Sequence, residues 1–181
     1  MNSILILFSI LGFSFLPAET RLYEIQFKSL DKARIDMSAY KGKKVIIVAF
    51  NAVNPDYTQL RSLDTIYQRH KNHVVIIAIP IEEFGKAMPD KNLISLLRDT
   101  MNVNYPIAAV SKAHKKQDKE HHPLLQWLAN KSMNGHFDED VEGDGQMFII
   151  NETGILYAVV KQKISPTGKM MMEIVGRNVK E

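Results

Sequence analysis

Two unbroken apolar runs, Val45–Phe50 (VIIVAF) and Val74–Ile79 (VVIIAI), constrain what this chain can fold into more than any other feature. A strand with one wetted face alternates polar and apolar residues. A run without alternation needs cover on both faces, as in the central strands of a parallel sheet. Between the runs, Leu60, Leu63 and Tyr67 recur at helical spacing with Ile66 beside them. The unit reads strand–helix–strand, so the two strands are expected to be parallel.

The flanking segments extend this unit. Leu22–Phe27 alternates Leu22, Glu24 and Gln26 against Tyr23, Ile25 and Phe27, and is expected to form a half-buried strand. After the polar Asp31–Lys32 turn a second short strand returns through Ile35 and Met37. A helix is expected over Lys91–Met101, with Leu93, Leu96, Leu97, Thr100 and Met101 on one face, and another over Leu124–Ala129 with Trp127 and Leu128 inward. Met147–Ile150, the turn Asn151–Gly154 and Ile155–Val160 read as an antiparallel hairpin. Ser165 and Pro166 read as N-cap and first-turn proline of a last helix, in which Met170, Met171 and Met172 fill core gaps beside Ile174. The order predicts an α/β fold: a thioredoxin-like sandwich with a central mixed sheet flanked by helices, one domain over residues 19–181.

The N-terminal segment is read separately. Ile4–Leu16 (ILILFSILGFSFL) is apolar or small, and charge first appears at Glu19 and Arg21. Such a run is short for a bilayer span and reads as a signal peptide over residues 1–18, cut after Ala18, which implies export to a periplasm or the extracellular space. The n-region lacks lysine and arginine, so an uncleaved anchor or a buried helix stays open as the other reading. With the signal removed, no stable membrane insertion is expected.

Composition then removes whole classes of chemistry. The 181 residues contain no cysteine, which excludes disulfides, thiolate-ligated metals and thiol catalysis. A net charge of +3 is too small an excess to indicate nucleic acid, and no arginine-rich helix or aromatic-basic strand is present. No cofactor is expected.

Five segments resemble the glutathione peroxidase family, in order along nearly the whole chain. They are MSAYKGKKVIIVAF (Met37–Phe50), YTQLRSLDTIYQRH (Tyr57–His70), IPIEEFGKAMPDKN (Ile79–Asn92), HPLLQWL (His122–Leu128) and MFIINETG (Met147–Gly154). The resemblance implies a glutathione-peroxidase-type thioredoxin fold and thiol-dependent hydroperoxide reduction in the response to oxidative stress. Counting from the matched segments, it also implies where the family's catalytic residues should stand. The peroxidatic cysteine or selenocysteine slot falls on Asn54 and the glutamine slot on Ala87. The tryptophan and asparagine slots, counted without gaps, fall on Gly143 and Asp144. No member of the tetrad is present, so no catalytic residue of the family is carried over.

The substitution at Asn54 makes local sense if Asn54 caps the helix, Pro55 takes its first position and Asp56 favours the positive end of its dipole. In a peroxidase that helix end would lower a thiol pKa. An amide cannot pass through a sulfenic acid, and Asp56 would tend to repel a thiolate co-substrate. Of the nine methionines, Met88 lies beside the glutamine slot, but a thioether reacts once and then needs a separate reductase.

Two charged stretches remain. His136–Gly145 packs five carboxylates and a histidine into ten residues, and Asp140, Glu142, Asp144 and Gly145 match the first positions of a calcium loop. Position 12 would be Asn151, which lacks a bidentate carboxylate, so a solvated acidic loop is expected, with His136, Asp140, Glu142 and Asp144 as candidate divalent-metal ligands. His114, His121 and His122 with Lys112, Lys115, Lys116 and Lys119 form a basic stretch. It is read as a solvated loop or, by position, as resembling the cationic rim with which relatives hold glutathione. His122 itself is expected to be structural. Asn130 and Asn151 head glycosylation-acceptor patterns.

The expectation is an exported member of the family without its activity, binding an unidentified small molecule or protein through the surface around Asn54, Glu82, Glu83 and Ala87. It is expected to be a monomer, because the segment between Trp127 and the late hairpin is short, resembling relatives without an oligomerisation loop. The rival reading is a repurposed enzyme with metal-assisted chemistry at residues 136–145.

Overall fold

A computed structural model describes residues 18–84, 89–114, 121–161 and 164–176. The two apolar runs form strands β3 (Lys44–Asn51) and β4 (Val74–Ile81), joined by helix α2 (Tyr57–His70). They pair in parallel over their whole length, from Lys44 opposite Val74 to Asn51 opposite Ile81. Every residue of β4, and every residue of β3 before Asn51, is buried. That double cover is why neither run alternates.

The sheet order is β4-β3-β5-β6, with β5 (Gln146–Ile150) antiparallel to β3 and to β6 (Leu156–Val160). One face carries Ile46, Val48 and Phe50 against Leu60, Leu63 and Ile66 of α2 and against Leu93, Leu97, Met171 and Val175. The other carries Val45, Ile47 and Ala49 against Leu124, Leu125, Trp127 and Leu128 of α4 (Pro123–Leu128). This is the expected mixed sheet between helices. Residues 1–17, which hold nearly all of the expected signal, lie outside the described residues. Among the described residues no helix is long and apolar enough to cross a membrane.

Several boundaries differ from expectation. Residues Ala18–Tyr23 form helix α1, and only Gln26–Lys28 form strand β1, paired antiparallel with β2 (Arg34–Asp36). Leu22 is fully buried beside Met37, so core packing overrides a six-residue alternation too short to fix a period. Met37 itself belongs to a 3-10 turn, Met37–Tyr40, capped by Asp36.

The helix expected over Lys91–Met101 starts as α3 (Asp90–Ser95) and widens into a π-turn over Leu96–Thr100, closed by Met101 N–H donating to Leu96 O at 2.9 Å. The extra residue shifts the phase, leaving Thr100 exposed while Leu97 and Met101 stay buried. Ser165 and Pro166 do not start the last helix. They form a turn in which Gly168 N–H donates to Ser165 O at 3.0 Å, and the helix that follows the short α5 (Lys131–Asn134) in the chain, α6, begins at Lys169 (Lys169–Gly176). Met171 is buried, but Met170 is 45% exposed and does not fill the core.

Candidate functional site

The site lies at the C-terminal ends of β3 and β4, where open α/β sheets bind ligands. Asn51, the last residue of β3, joins three loops there. Its N–H donates to Asp144 Oδ1 at 2.7 Å, and its Nδ2 donates to Phe84 O at 2.7 Å. Its Oδ1 accepts from Val53 N–H at 2.8 Å and Asn54 N–H at 3.2 Å. Asn51 thus closes an Asx-type turn that ends on the peroxidatic slot.

Because that turn consumes the amides of residues 53 and 54, helix α2 starts later than expected. Its N-cap is Asp56, not Asn54: Asp56 is extended (φ −69°, ψ 99°) and its Oδ1 accepts from Gln59 N–H at 3.0 Å. Pro55 lies buried before the cap rather than inside the helix, and Asn54 is exposed. The electropositive end of α2 is therefore already occupied by a carboxylate of the chain itself.

The turn before β5 supplies the other wall. Gly145 has φ +83°, and its N–H donates to Ala49 O at 2.7 Å. The buried Gln59 side chain crosses to it, Nε2 donating to Gly145 O at 2.7 Å. A Cβ at position 145 would lie 2.7 Å from Gln59 Oε1 and displace that side-chain end, and the left-handed backbone itself favours glycine here. Asp144 is half-buried, and burial holds its carboxyl above the usual carboxylate range. The Asn51 N–H opposes that shift, and the neighbouring charge of Asp56 adds to it.

A cleft of about 440 Å³ opens between the first turns of α2 (Asp56, Thr58, Gln59, Ser62), Asp144 and the 164–166 segment. Two of the four slots, Asn54 and Asp144, are thus bonded to the same residue. Gly143, half-buried, opens the same turn, its O accepting from Gln146 N–H at 3.3 Å. Ala87 and Met88 lie outside the described residues. The sequence reading missed Asn51, Gln59 and the capping role of Asp56. The Asp-x-x-Gln spacing at 56–59 is a capping signal that could have found two of them.

The remaining candidates are dispersed. Glu82 pairs with Lys112 at 3.5 Å, and Glu83 Oε1 accepts from Ala113 N–H and His114 N–H at 2.8 and 3.1 Å, fixing the neighbouring loop. The acidic stretch is not gathered into a metal centre. Asp144 turns to Asn51, Glu142 pairs with Lys161 at 3.4 Å, Asp140 lies 4.0 Å from His114 Nδ1, and His136 is exposed. Among the described residues, no group of three or more His, Asp or Glu side chains is placed to hold a metal ion.

Lys115, Lys116 and Lys119 lie outside the described residues. His122 is structural, as expected: its Nδ1 accepts from Leu124 N–H at 3.2 Å to cap α4, its ring meets Phe27 edge-on at 4.5 Å, and burial pushes its pKa down to about 3. Asn151 is 4% exposed, and its Oδ1 is bonded inside the β5–β6 turn, so it is no glycan acceptor in the folded chain.

A family model described as glutathione peroxidase matches residues 22–129. That span contains the Asn54 and Ala87 slots and ends before Gly143 and Asp144. A probable phospholipid hydroperoxide glutathione peroxidase 6, mitochondrial, of Arabidopsis thaliana is 28% identical over 140 residues, covering 74% of this chain and 57% of that protein. The chain thus spans little more than half the length of that relative. A glutathione peroxidase of Lactococcus lactis is 24% identical over 146 residues, covering 80% of this chain and 91% of that protein.

Among solved structures, T. cruzi GPX1 superposes with a TM-score of 0.63 at 17% identity, covering 86% of this chain and 96% of that one. A thiol:disulfide interchange protein of the thioredoxin family from Chlorobium tepidum superposes with a TM-score of 0.61 at 15% identity, covering 84% and 93%. At such identities the superpositions speak to the fold. With the family model matched over more than half of its length, the chain belongs to the glutathione peroxidase family.

Proposed function

We propose that this chain is an exported member of the family that has lost thiol-dependent hydroperoxide reduction and binds a ligand or partner at the emptied site. The observation that carries the reading is the start of α2: Asn54 holds the peroxidatic slot, and the helix end beyond it is capped by the Asp56 carboxylate. Peroxide reduction by this family's route needs a polarisable nucleophile that is oxidised and then reduced, and an amide offers neither step. A carboxylate at the helix end, with Asp144 beside it, also disfavours the thiolate of a reducing co-substrate. The rival metal-assisted chemistry at residues 136–145 draws no support from side chains already engaged elsewhere.

The test is turnover. Purified protein, mixed with hydroperoxide and either reduced glutathione or a thioredoxin system, is expected to consume thiol no faster than the heat-denatured protein. Thiol consumption above that control, lost in Asn54→Ala, would overturn the reading.

A further inference from the structure

The walls of the cleft beside Asp56 share one chemical property: they offer acceptors. Asp56 Oδ1 is spent on Gln59 N–H, and Asp144 Oδ1 on Asn51 N–H, which leaves each carboxylate a second oxygen. Gln59 is 5% exposed and lines the same cleft. Its carboxamide orientation is fixed by Nε2 donating to Gly145 O, and among the described residues its Oε1 accepts no hydrogen bond. The Gln59 side chain thus brings a carbonyl acceptor to an open cleft between two carboxylates. The rest of the lining is the hydroxyl-bearing Thr58, Ser62 and Ser165, and an apolar edge of Ile164 and Pro166. Among the described residues, no lysine, arginine or histidine lines the cleft.

We propose that this cleft binds a primary ammonium carried on an aliphatic stem, either a free amine or a lysine side chain. The inference rests on the ligand-binding reading above and gives that site a ligand class. An ammonium has three donors and no acceptor, which matches Gln59 Oε1 and the spare oxygens of Asp56 and Asp144. Its charge relieves the repulsion between the two carboxylates, and its methylene stem covers Ile164 and Pro166. An anion meets two negative charges there. A hard divalent ion wants six or more oxygens around it and gains nothing from the apolar edge.

The experiment is an amide-resolved NMR titration of the 15N-labelled protein at pH 7 and constant ionic strength. The probes are n-butylammonium, its neutral and anionic counterparts butanol and butyrate, and calcium. Saturable shifts centred on the amides of Asn51, Gln59 and Ser62 are expected with butylammonium alone. Asp56→Asn keeps a capping oxygen and Asp144→Asn keeps an acceptor for Asn51, so both variants should fold, as their spectra will show. Each is expected to weaken butylammonium binding about two- to fivefold, as expected when one charge of a solvent-accessible ion pair is lost. The proposal is overturned if no probe shifts these amides, if butanol, butyrate or calcium binds as well, or if both variants bind unchanged. Peroxidase turnover reports separately on the loss of family activity, so failure of one reading leaves the other standing.

Discussion

Asn51 holds the site together, since its side chain and amide tie the end of β3 to the turns at 53–54, 84 and 144. Asn51→Ala removes three side-chain hydrogen bonds and keeps the backbone one. At roughly 0.5–1.5 kcal/mol net for each, a loss of about 2 kcal/mol is expected, read as a Tm lower by roughly 4–8 °C. An unchanged Tm would show that the three loops are held by other contacts. The sequence around residue 51 offers only the local turn to residues 53 and 54, since the other two partners lie 33 and 93 positions away.

His122 carries a pH effect whose direction follows from burial. Its folded pKa lies near 3, against an ordinary value near 6.5, so below pH 6.5 the unfolded chain takes up a proton that the folded chain refuses. Its contribution is therefore intact above about pH 6.5 and is lost as pH falls toward 3. His122→Asn can still cap α4 through its side-chain oxygen but does not titrate. Between pH 6.5 and 4 the stability of the variant should fall less steeply with acid, measured by urea unfolding; parallel curves would contradict the assignment. The structural role of His122 was legible because it directly precedes the Pro123 that opens α4, a common helix-start pattern.

At the scale of elements, the packing of α6 depends on a buried charge. Lys44, 2% exposed at the start of β3, donates to Ile174 O at 2.6 Å and Val175 O at 3.3 Å, and pairs with Glu152 at 3.4 Å. A cation at the C-terminal carbonyls of a helix is favoured by the helix dipole, and here it also anchors that helix to the central sheet. Lys44→Met keeps the stem but strands the carbonyls and the Glu152 carboxylate. Hydrogen exchange in α6 is expected to accelerate at least tenfold, with α2 nearly unaffected. Equal exchange in wild type and variant would remove Lys44 from this role.

Elements with strong periodicity were readable in advance: β3, β4, the β5–β6 hairpin and the body of α2 stand where the pattern puts them, and only the start of α2 moves. The misplaced ones are those in which local signals compete. Ser165–Pro166 fits both a helix start and a turn, and the turn forms because Gly168 closes it. The π-turn at Leu96–Thr100 has no sequence signature beyond an apolar phase that slips by one residue.

At the scale of the whole molecule, the chain keeps the family scaffold, with Asn54 and the Asp56 carboxylate at the start of α2. The scaffold and the Asn54 slot are legible because both sit on contiguous matched segments, and counting along the chain suffices. The cleft is not legible in that way, since residues 56–62, 144 and 164–166 meet only once the sheet has formed. Physically, Asn54 stands in the peroxidatic slot with two carboxylates about it, one capping α2 and one held above the usual carboxylate range. On the proposed reading the loss reaches beyond one missing sulfur, and returning the sulfur should not return the chemistry.

The most direct test is the thiol pKa of Asn54→Cys, followed by the pH dependence of its alkylation rate. With Asp56 and Asp144 nearby and the helix end already capped, the account predicts a value at or above the ordinary thiol value of about 8.5. A value below about 7, together with restored peroxide reduction, would mean that the helix end still activates a thiolate, and would contradict the account.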